Sequence, residues 1–221
     1  MSIDLANWTP PPFPPRQAIE GQWCRLEPLS ATQHGAALWH HMAGADAIWE
    51  FLAQAAPQNE AEYIAVLAGM EARTDIVPFA IIDKADNIAK GHLWIMEIRP
   101  QHGVFEVGSI TYSPALQRTR PASEAIYLIG DYGFTLGYRR YEWKCNNRNE
   151  PSKRAALRFG FTPEGLFRNH MVIKGKSRDT AWYSIIDSEW PARKARFEGW
   201  LKPENFNPDG SQKVRLEDVI F

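Results

Sequence analysis

The sequence has little cysteine, no long apolar run and almost no net charge. Its 221 residues include only Cys24 and Cys145, which form no CxxC pair and do not require a disulfide framework. So few cysteines predict a reducing, cytoplasmic compartment. The first residues also lack the basic and apolar regions of a secretory signal, which favours the same prediction. No apolar run approaches the roughly 18 residues that span a bilayer, so no membrane partner is expected.

The charge balance argues against one further class of partner. With 25 Lys and Arg against 26 Asp and Glu, the net charge is −1, which gives no reason to expect nucleic acid as the main partner. The six histidines do not show a metal-binding spacing, so no metal site is predicted. Nine tryptophans are many for this length, and most are expected to line the core or a groove.

Proline marks the N-terminal boundary of the domain. Five of the 16 prolines lie between Pro10 and Pro15, which predicts an extended arm over 1–20 and not core structure. The rest is long enough for one domain with a sizeable core. We predict that domain over 21–190, followed by a C-terminal helix and an appended tail over 191–221.

Alternating and helical apolar patterns predict the order β, α, α, β, β, β, α, β, α, β, β before that last helix. Strands over 77–84, 88–100 and 104–114 form an antiparallel meander, and a second helical region covers 46–72. From Pro121 to Gly137 apolar residues recur at helical spacing. The fold class is therefore α/β, a mixed, mostly antiparallel sheet flanked by helices.

The segment "PALQRTRPASEA" (114–125) joins the third meander strand to the central helix. Thr119 suits the N-cap, and Pro121 suits the first turn because its missing N–H is not needed there. A helix start offers free backbone N–H groups, and Arg118 and Arg120 add positive charge suited to phosphate. This favours a phosphate site; a solvated loop with two surface arginines is the alternative.

Two side chains are candidate general bases. Glu106 has the same strand parity as Val104, Ile110 and Tyr112, so a carboxylate shares a face with apolar groups. Desolvation would raise its pKa, as a base acting on an amine requires. The alternatives are pairing with a nearby Lys or Arg, or a bulge that turns the side chain outward. His170, on the penultimate strand, titrates near neutrality when unperturbed, and a structural role is its alternative.

The segments "EVGSITYSPALQRTRPASEA" and "NRNEPSKRAALRFGFTPEG" together resemble the GNAT superfamily of acyl-CoA-dependent N-acetyltransferases. The branch that acetylates ribosomal-protein N-termini is the most similar. The resemblance implies that the loop Q/R-x-x-G-x-G/A binds the pyrophosphate of coenzyme A. Here Gln117 and Ala122 fill the outer positions, while Arg120 replaces the usual glycine and Pro121 removes an amide. We therefore expect Arg118 or Arg120 to contact phosphate through its side chain.

The resemblance also implies roles for residues on either side of this loop. Asn149 would bond the pantetheine arm and Ser152 would protonate the leaving thiolate, although both can serve simply as helix caps. Backbone groups around Ile110 to Tyr112 would pair with pantetheine and polarise the thioester carbonyl. The expected cofactor-binding residues are Ile110, Tyr112, Gln117, Arg118, Thr119, Arg120, Ala122, Asn149 and Ser152.

The resemblance predicts transfer of an acetyl group from acetyl-CoA to a primary amine in a ternary complex, with Ser152 and either Glu106 or His170 as the catalytic groups. The sequence leaves the amine open: a peptide N-terminus, a polyamine, an amino acid and an aminoglycoside are all compatible. Two other functions also stay open, a non-catalytic CoA-binding sensor and a protein-interaction module. The oligomeric state is equally open, and a homodimer is compatible with the sequence.

Overall fold

The computed structural model describes residues 4–219, which form one eight-stranded sheet with five α-helices. The strands are β1 (Ile19–Glu20), β2 (Cys24–Pro28), β3 (Val77–Asp83), β4 (Ile88–Arg99), β5 (Val104–Tyr112), β6 (Arg140–Asn146), β7 (Thr162–Ile173) and β8 (Lys176–Ile186). The helices are α1 (Ala31–Met42), α2 (Glu60–Glu71), α3 (Arg120–Thr135), α4 (Glu150–Arg158) and α5 (Trp190–Leu201).

The predicted fold class is confirmed, with local differences. The second helical region, predicted over 46–72, is a 3-10 turn at Asp46–Trp49 followed by α2. The final hairpin, predicted from Phe167 to Ile186, is longer because β7 begins at Thr162 and includes Pro163 and Gly165, residue types that are common in turns. A bulge accommodates them, and β7 lies at the sheet edge, where a proline costs little pairing.

The strand order β1-β2-β3-β4-β5-β6-β8-β7 contains one parallel pair, β5 with β6. A parallel pair needs a crossover connection, and α3 supplies it. The two strands pair only from Val104 with Arg140 to Glu106 with Glu142. Beyond that point β5 continues to pair with β4, and β6 with β8. A gap therefore opens inside the sheet between β5 and β6.

The core is divided between the two faces of the sheet. The larger cluster joins the sheet to α3 and α5 and contains Phe105, Ile129 and Phe197. The smaller one lies under α1 and α2 and contains Leu38 and Leu67. Both faces of the central strands are covered, so the gap between β5 and β6 connects two differently lined sides of the molecule.

The chain on either side of the predicted domain packs against it. Phe206 and Leu216 are buried in the larger core cluster, so describing the last twenty residues as an appended tail is wrong. Burying side chains of this size contributes roughly 1.5–3 kcal/mol each. The described part of the Pro-rich arm is attached to the domain where the Tyr132 hydroxyl donates to the Pro15 carbonyl, 2.8 Å away.

Candidate active site

A cleft of about 1400 Å³ occupies the gap between β5 and β6 and continues over the first turns of α3 and α4. It brings together residues that the sequence placed on five separate elements. Ten of the predicted site residues line it: Glu106, Ile110, Tyr112, Gln117, Arg118, Arg120, Ala122, Asn149, Ser152 and His170. Thr119, the remaining predicted residue, lies beneath them as a structural cap.

The loop before α3 is built as the sequence predicted. Thr119 is the N-cap, and its hydroxyl oxygen accepts the Ala122 backbone N–H at 3.3 Å. The helix begins at Arg120, directly after the predicted N-cap, with Pro121 in its first turn. Arg118 has φ +63°, a left-handed conformation that disfavours most residues. The Gln117 side-chain amide donates to the Tyr112 carbonyl at 3.0 Å and fixes the loop to the end of β5.

Arg120 packs against two aromatic rings that contact each other edge-on. Its guanidinium lies 4.0 Å from the ring centre of Trp23 and 4.6 Å from that of Phe206. Cation–π contacts of this kind fix an arginine without neutralising its charge. Trp23 is itself positioned by Glu124, whose buried carboxylate accepts the backbone N–H groups of Gln22, Trp23 and Cys24.

Glu106 is a buried carboxylate beside a single ammonium group. It is 4% exposed, and the Lys144 Nζ lies 2.6 Å from its Oε2. Burial raises the pKa of Glu106 from 4.5 to about 7, although Lys144 opposes the shift. Two of the predicted possibilities therefore hold together: the carboxylate is paired with Lys144, and its pKa is raised. A pKa near neutrality suits a general base.

The parity argument that led to Glu106 is wrong in part. Trp94 pairs with Gly108 and His92 pairs with Thr111, so β5 carries one extra residue at Ser109–Ile110. Ser109 has φ +48° in this bulge. A bulge shifts the alternation of faces by one residue. Tyr112 therefore faces the α3 side, where its hydroxyl donates to the Ala122 carbonyl at 2.9 Å, away from Glu106.

Ser152 lies at the start of α4 with its hydroxyl oriented by an indole. The Asn149 side-chain oxygen accepts the Ser152 backbone N–H at 3.1 Å, so the predicted cap is present. The Trp143 indole N–H donates to Ser152 Oγ at 3.1 Å. An indole N–H can only donate, so the hydroxyl proton of Ser152 points elsewhere, and the Cys145 thiol is one side chain within its hydrogen-bonding reach.

Glu106 and Ser152 approach the gap from opposite faces of the sheet. Glu106 pairs with Glu142 across the parallel ladder, so the two carboxylates share a face. Side chains alternate along β6, so Trp143 and the Ser152 hydroxyl that it contacts lie on the other face. A proton acceptor and a proton donor thus stand on either side of one opening.

His170 is exposed, and its Nδ1 lies 3.0 Å from Thr180 Oγ1. The carboxylate of its neighbour across the hairpin, Asp179, accepts the Asn169 backbone N–H at 2.7 Å, which is a structural role. Arg178, which the sequence analysis did not select, is half-buried in the same cleft wall, and its Nε donates to Thr180 Oγ1 at 3.1 Å.

Sequence reasoning missed several charged and aromatic residues of the cleft. Lys144 shares a face with Glu142, but only the strand register brings it to Glu106. Arg154 and Arg158 are four residues apart on α4, a spacing that places two cations on one helix face and could have been read from the sequence. Trp200 lies in the predicted C-terminal helix, and Phe206 lies in the segment predicted as an appended tail.

The cysteines take no part in this site as nucleophiles. Cys24 and Cys145 are free and buried. Burial raises the pKa of the Cys145 thiol, so the reactive thiolate is disfavoured. Within residues 4–219 no group of three metal-ligating side chains converges, and none of the described helices is long and apolar enough to cross a membrane.

Comparison with known proteins identifies the family. The model of the acetyltransferase (GNAT) domain matches residues 24–162, more than half of the chain. The chain belongs to the GNAT family. The structure of a GCN5-related N-acetyltransferase from Brucella melitensis matches with 47% identity and a TM-score of 0.93, covering 96% of this chain and 97% of the other.

Two further relatives set the limits of the comparison. A Salmonella typhimurium acetyltransferase that modifies the N-terminal serine of a ribosomal-subunit protein shares the GNAT fold, with 21% identity, a TM-score of 0.66 and coverage of 76% of this chain and 98% of the other. The uncharacterised N-acetyltransferase p20 of Bacillus licheniformis is 37% identical over 70 residues, which is 31% of this chain. The matched part spans 39% of the length of p20.

Proposed function

We propose that this GNAT protein transfers an acetyl group from acetyl-CoA to a primary amine by direct attack in a ternary complex. The observation that carries the proposal is the placement of Glu106 and Ser152 on opposite faces of the gap between β5 and β6. Direct transfer needs a base on the side of the amine and an acid on the side of the thiol. Family membership supports acetyl-CoA as the donor.

The cleft fits such a donor. One end carries the start of α3 and several arginines, which suit phosphates. The middle lies along the part of β5 that has no partner on the β6 side, so backbone groups around Ile110 to Tyr112 are placed to bond an extended amide-bearing arm. When bound, acetyl-CoA supplies the thioester whose C–S bond breaks as the new C–N bond forms.

The residues of this chain move the protons. Glu106 accepts the proton that the amine nitrogen loses, and Lys144 stabilises the carboxylate before that transfer. Ser152 donates its hydroxyl proton to the departing thiolate and regains one from solvent. Trp143 keeps the Ser152 oxygen in place through its indole N–H. Holding both reactants in one cleft supplies much of the rate by proximity.

Glu106 is favoured over His170 as the base because of its surroundings. The carboxylate is buried beside the gap with a pKa near 7, whereas His170 is exposed on β7 and bonded to Thr180. A chain of water molecules could carry the proton from the amine to either residue. The pKa of Glu106 makes it half-ionised near neutral pH.

The wall facing the amine is formed by two parts of the chain. The segment 47–54 and the β7–β8 hairpin both line the cleft. They are joined where Lys174 Nζ donates to the Trp49 carbonyl, 2.6 Å away. We infer that acceptor choice is set here. The N-terminal serine used by the Salmonella relative is one candidate acceptor, alongside amino acids, polyamines and aminoglycosides.

A cytoplasmic location and a homodimer stay predictions. Strand β7, at the edge of the sheet, is exposed along almost all of its length. The side chain of Phe167 is 51% exposed and that of Val172 is 78% exposed. Apolar edge strands commonly pair or are covered, so this edge is where a second copy would bind. Light scattering on the purified protein tests the assembly.

The deciding experiment measures release of free thiol from acetyl-CoA with a panel of chemically distinct amines. Thiol release with at least one amine, at a rate lowered in both Glu106→Gln and Ser152→Ala, supports the proposal. A rise in melting temperature with acetyl-CoA and no thiol release with any amine indicates a CoA-binding sensor. No shift at millimolar acetyl-CoA and no release would overturn the proposal and favour an interaction module.

A further inference from the structure

The end of the cleft over α3 and α4 is strongly and unevenly charged. Four arginines line this end: Arg118, Arg120, Arg154 and Arg158. The two acidic residues that line the cleft, Glu97 and Glu106, lie instead on β4 and β5. A pyrophosphate diester carries about two negative charges at neutral pH. The arginines of this end therefore exceed what the pyrophosphate of coenzyme A requires.

Two of these arginines belong to one cluster built with the C-terminal segment. The Arg158 guanidinium donates to Ser123 Oγ at 3.1 Å and lies 4.9 Å from the ring centre of Trp200. The Trp200 ring packs edge-on against Phe206 at 5.0 Å, and Phe206 covers Arg120. We call Arg120, Arg158, Trp200 and Phe206 the arginine–aromatic cluster.

The C-terminal segment is held in this position by its own bonds. The Trp200 indole N–H donates to the Gln212 side-chain oxygen at 2.9 Å, and Phe206 forms a β-bridge with Gln212. Residues 210–212 line the cleft beside the cluster. The segment lies beyond residues 24–162, where the family model matches. This rim of the cleft is therefore a feature of the chain outside its family domain.

The cluster is suited to a second phosphate near an aromatic base. Guanidinium groups bind phosphate oxygens through paired donors, and Arg158 is only weakly engaged by an acid, with Glu217 Oε2 at 4.0 Å from its Nε. Arg154 lies one turn earlier on α4 and lines the same end. A phosphate monoester brings up to two further charges, which matches the remaining cations.

We propose that the arginine–aromatic cluster and Arg154 form a subsite for the 3′-phosphate on the ribose of coenzyme A, and that this subsite makes the protein discriminate against dephospho-CoA. The inference rests on the proposed function, because it concerns the far end of the same donor. It adds a role for the C-terminal segment, which completes the subsite through Trp200 and Phe206.

The test compares the affinities of acetyl-CoA and acetyl-dephospho-CoA, measured by calorimetry, for the full-length protein and its variants. The wild type is expected to bind acetyl-CoA at least fivefold more tightly, since hydrogen bonds to charged groups are individually worth about tenfold or more. In Arg158→Ala and in Arg154→Ala the ratio is expected to fall, with the affinity for acetyl-dephospho-CoA unchanged.

The matched control is Arg148→Ala. Arg148 is an exposed arginine between β6 and α4 that does not line the cleft, so its removal is expected to leave the ratio intact. Arg154 is also exposed and free of ion pairs to described residues, so Arg154→Ala provides a reading even where Arg158→Ala fails to fold.

The outcomes separate this inference from the proposed function. The subsite is overturned if the wild type prefers acetyl-CoA to acetyl-dephospho-CoA by less than fivefold. It is also overturned if that preference is unchanged in Arg154→Ala and in any folded Arg158→Ala protein. In either case, thiol release with an amine still supports the proposed function. Failure of the wild type to bind either donor overturns the proposed function itself. A ratio of at least fivefold that falls in Arg154→Ala but not in Arg148→Ala supports the subsite.

Discussion

Replacing Glu106 by Gln is expected to lower activity and, at alkaline pH, to raise stability. The carboxylate is 4% exposed, and burial raises its pKa from 4.5 to about 7. Between pH 4.5 and about 7, the Glu106 carboxyl is therefore protonated in the folded protein but ionised in the unfolded chain. Stability contributed by this group consequently falls as the pH rises from about 4.5 to about 7, and the loss is complete above that.

The size of the stability effect follows from the shift. One pKa unit corresponds to 1.36 kcal/mol, so a rise from 4.5 to about 7 makes the ionised carboxylate cost about 3 kcal/mol of folding free energy. A glutamine of nearly the same shape cannot ionise. The variant is expected to match the wild type near pH 4.5 and to exceed it by up to about 3 kcal/mol at pH 8.5.

The activity effect has its own pH signature. A general base must be ionised to act, and positioned proton transfer contributes about 10²–10⁴-fold. The ratio of wild-type to variant kcat/KM is therefore expected to rise about tenfold per pH unit below 7 and to level off above it. Using this ratio cancels the titration of the amine itself, which is the same for both proteins.

The assays are denaturant unfolding at pH 4.5 and 8.5, and thiol release from pH 5.5 to 9. Glu204→Gln is the control, because Glu204 is exposed in the C-terminal segment and does not line the cleft. A ratio independent of pH would refute the assignment of Glu106 as the base. A variant that is less stable than the wild type at pH 8.5 would refute the account of its burial.

Three further predictions test the site and its support. Ser152→Ala is expected to lower kcat about a hundredfold with the Kd for acetyl-CoA within threefold, and an unchanged kcat would remove Ser152 as the acid. His170→Gln is expected to leave kcat/KM within about threefold, because the exposed ring is bonded to Thr180; a loss equal to that of Glu106→Gln would make His170 the base instead. Gly133→Ala is expected to destabilise the fold by about 1–3 kcal/mol in denaturant unfolding, since its Cβ would lie 2.1 Å from the Phe105 ring. Gly69→Ala, with open space at the same atom, is the control and is expected to gain up to about 1 kcal/mol; equal effects of the two would contradict the packing argument.

The sequence predicted the elements well wherever local chemistry decides them. Thr119 and Asn149 cap α3 and α4 because a short polar side chain before a helix meets its free N–H groups. The strands of the meander are short runs rich in β-branched and aromatic residues, and β3 is a continuous apolar run that is buried on both faces. The hairpin β7–β8 was cut short because Pro163 and Gly165 are typical of turns, and only the edge position of β7 and its bulge make them tolerable there.

Local pattern could not predict how the strands are offset. The bulge at Ser109–Ile110 shifts Tyr112 to the face opposite Glu106. Gly108 beside it is a local sign of a bulge, but the offset is seen only where β5 pairs with β4. The same holds for Lys144, which reaches Glu106 through the parallel register of β5 and β6. Register depends on two strands at once, so neither strand read singly contains it.

By itself, the sequence determined the order of helices and strands, the helix start at 119–121 and the family motifs around it, because these depend on residues close together in the chain. Only the tertiary structure decided the sites that join distant segments. Arg120 contacts both Trp23 and Phe206, which come from opposite ends of the chain. Glu106 has a pKa near 7 because packing from several elements excludes water from it. Burial and long-range contact are properties of the folded chain, and they set the chemistry of this cleft.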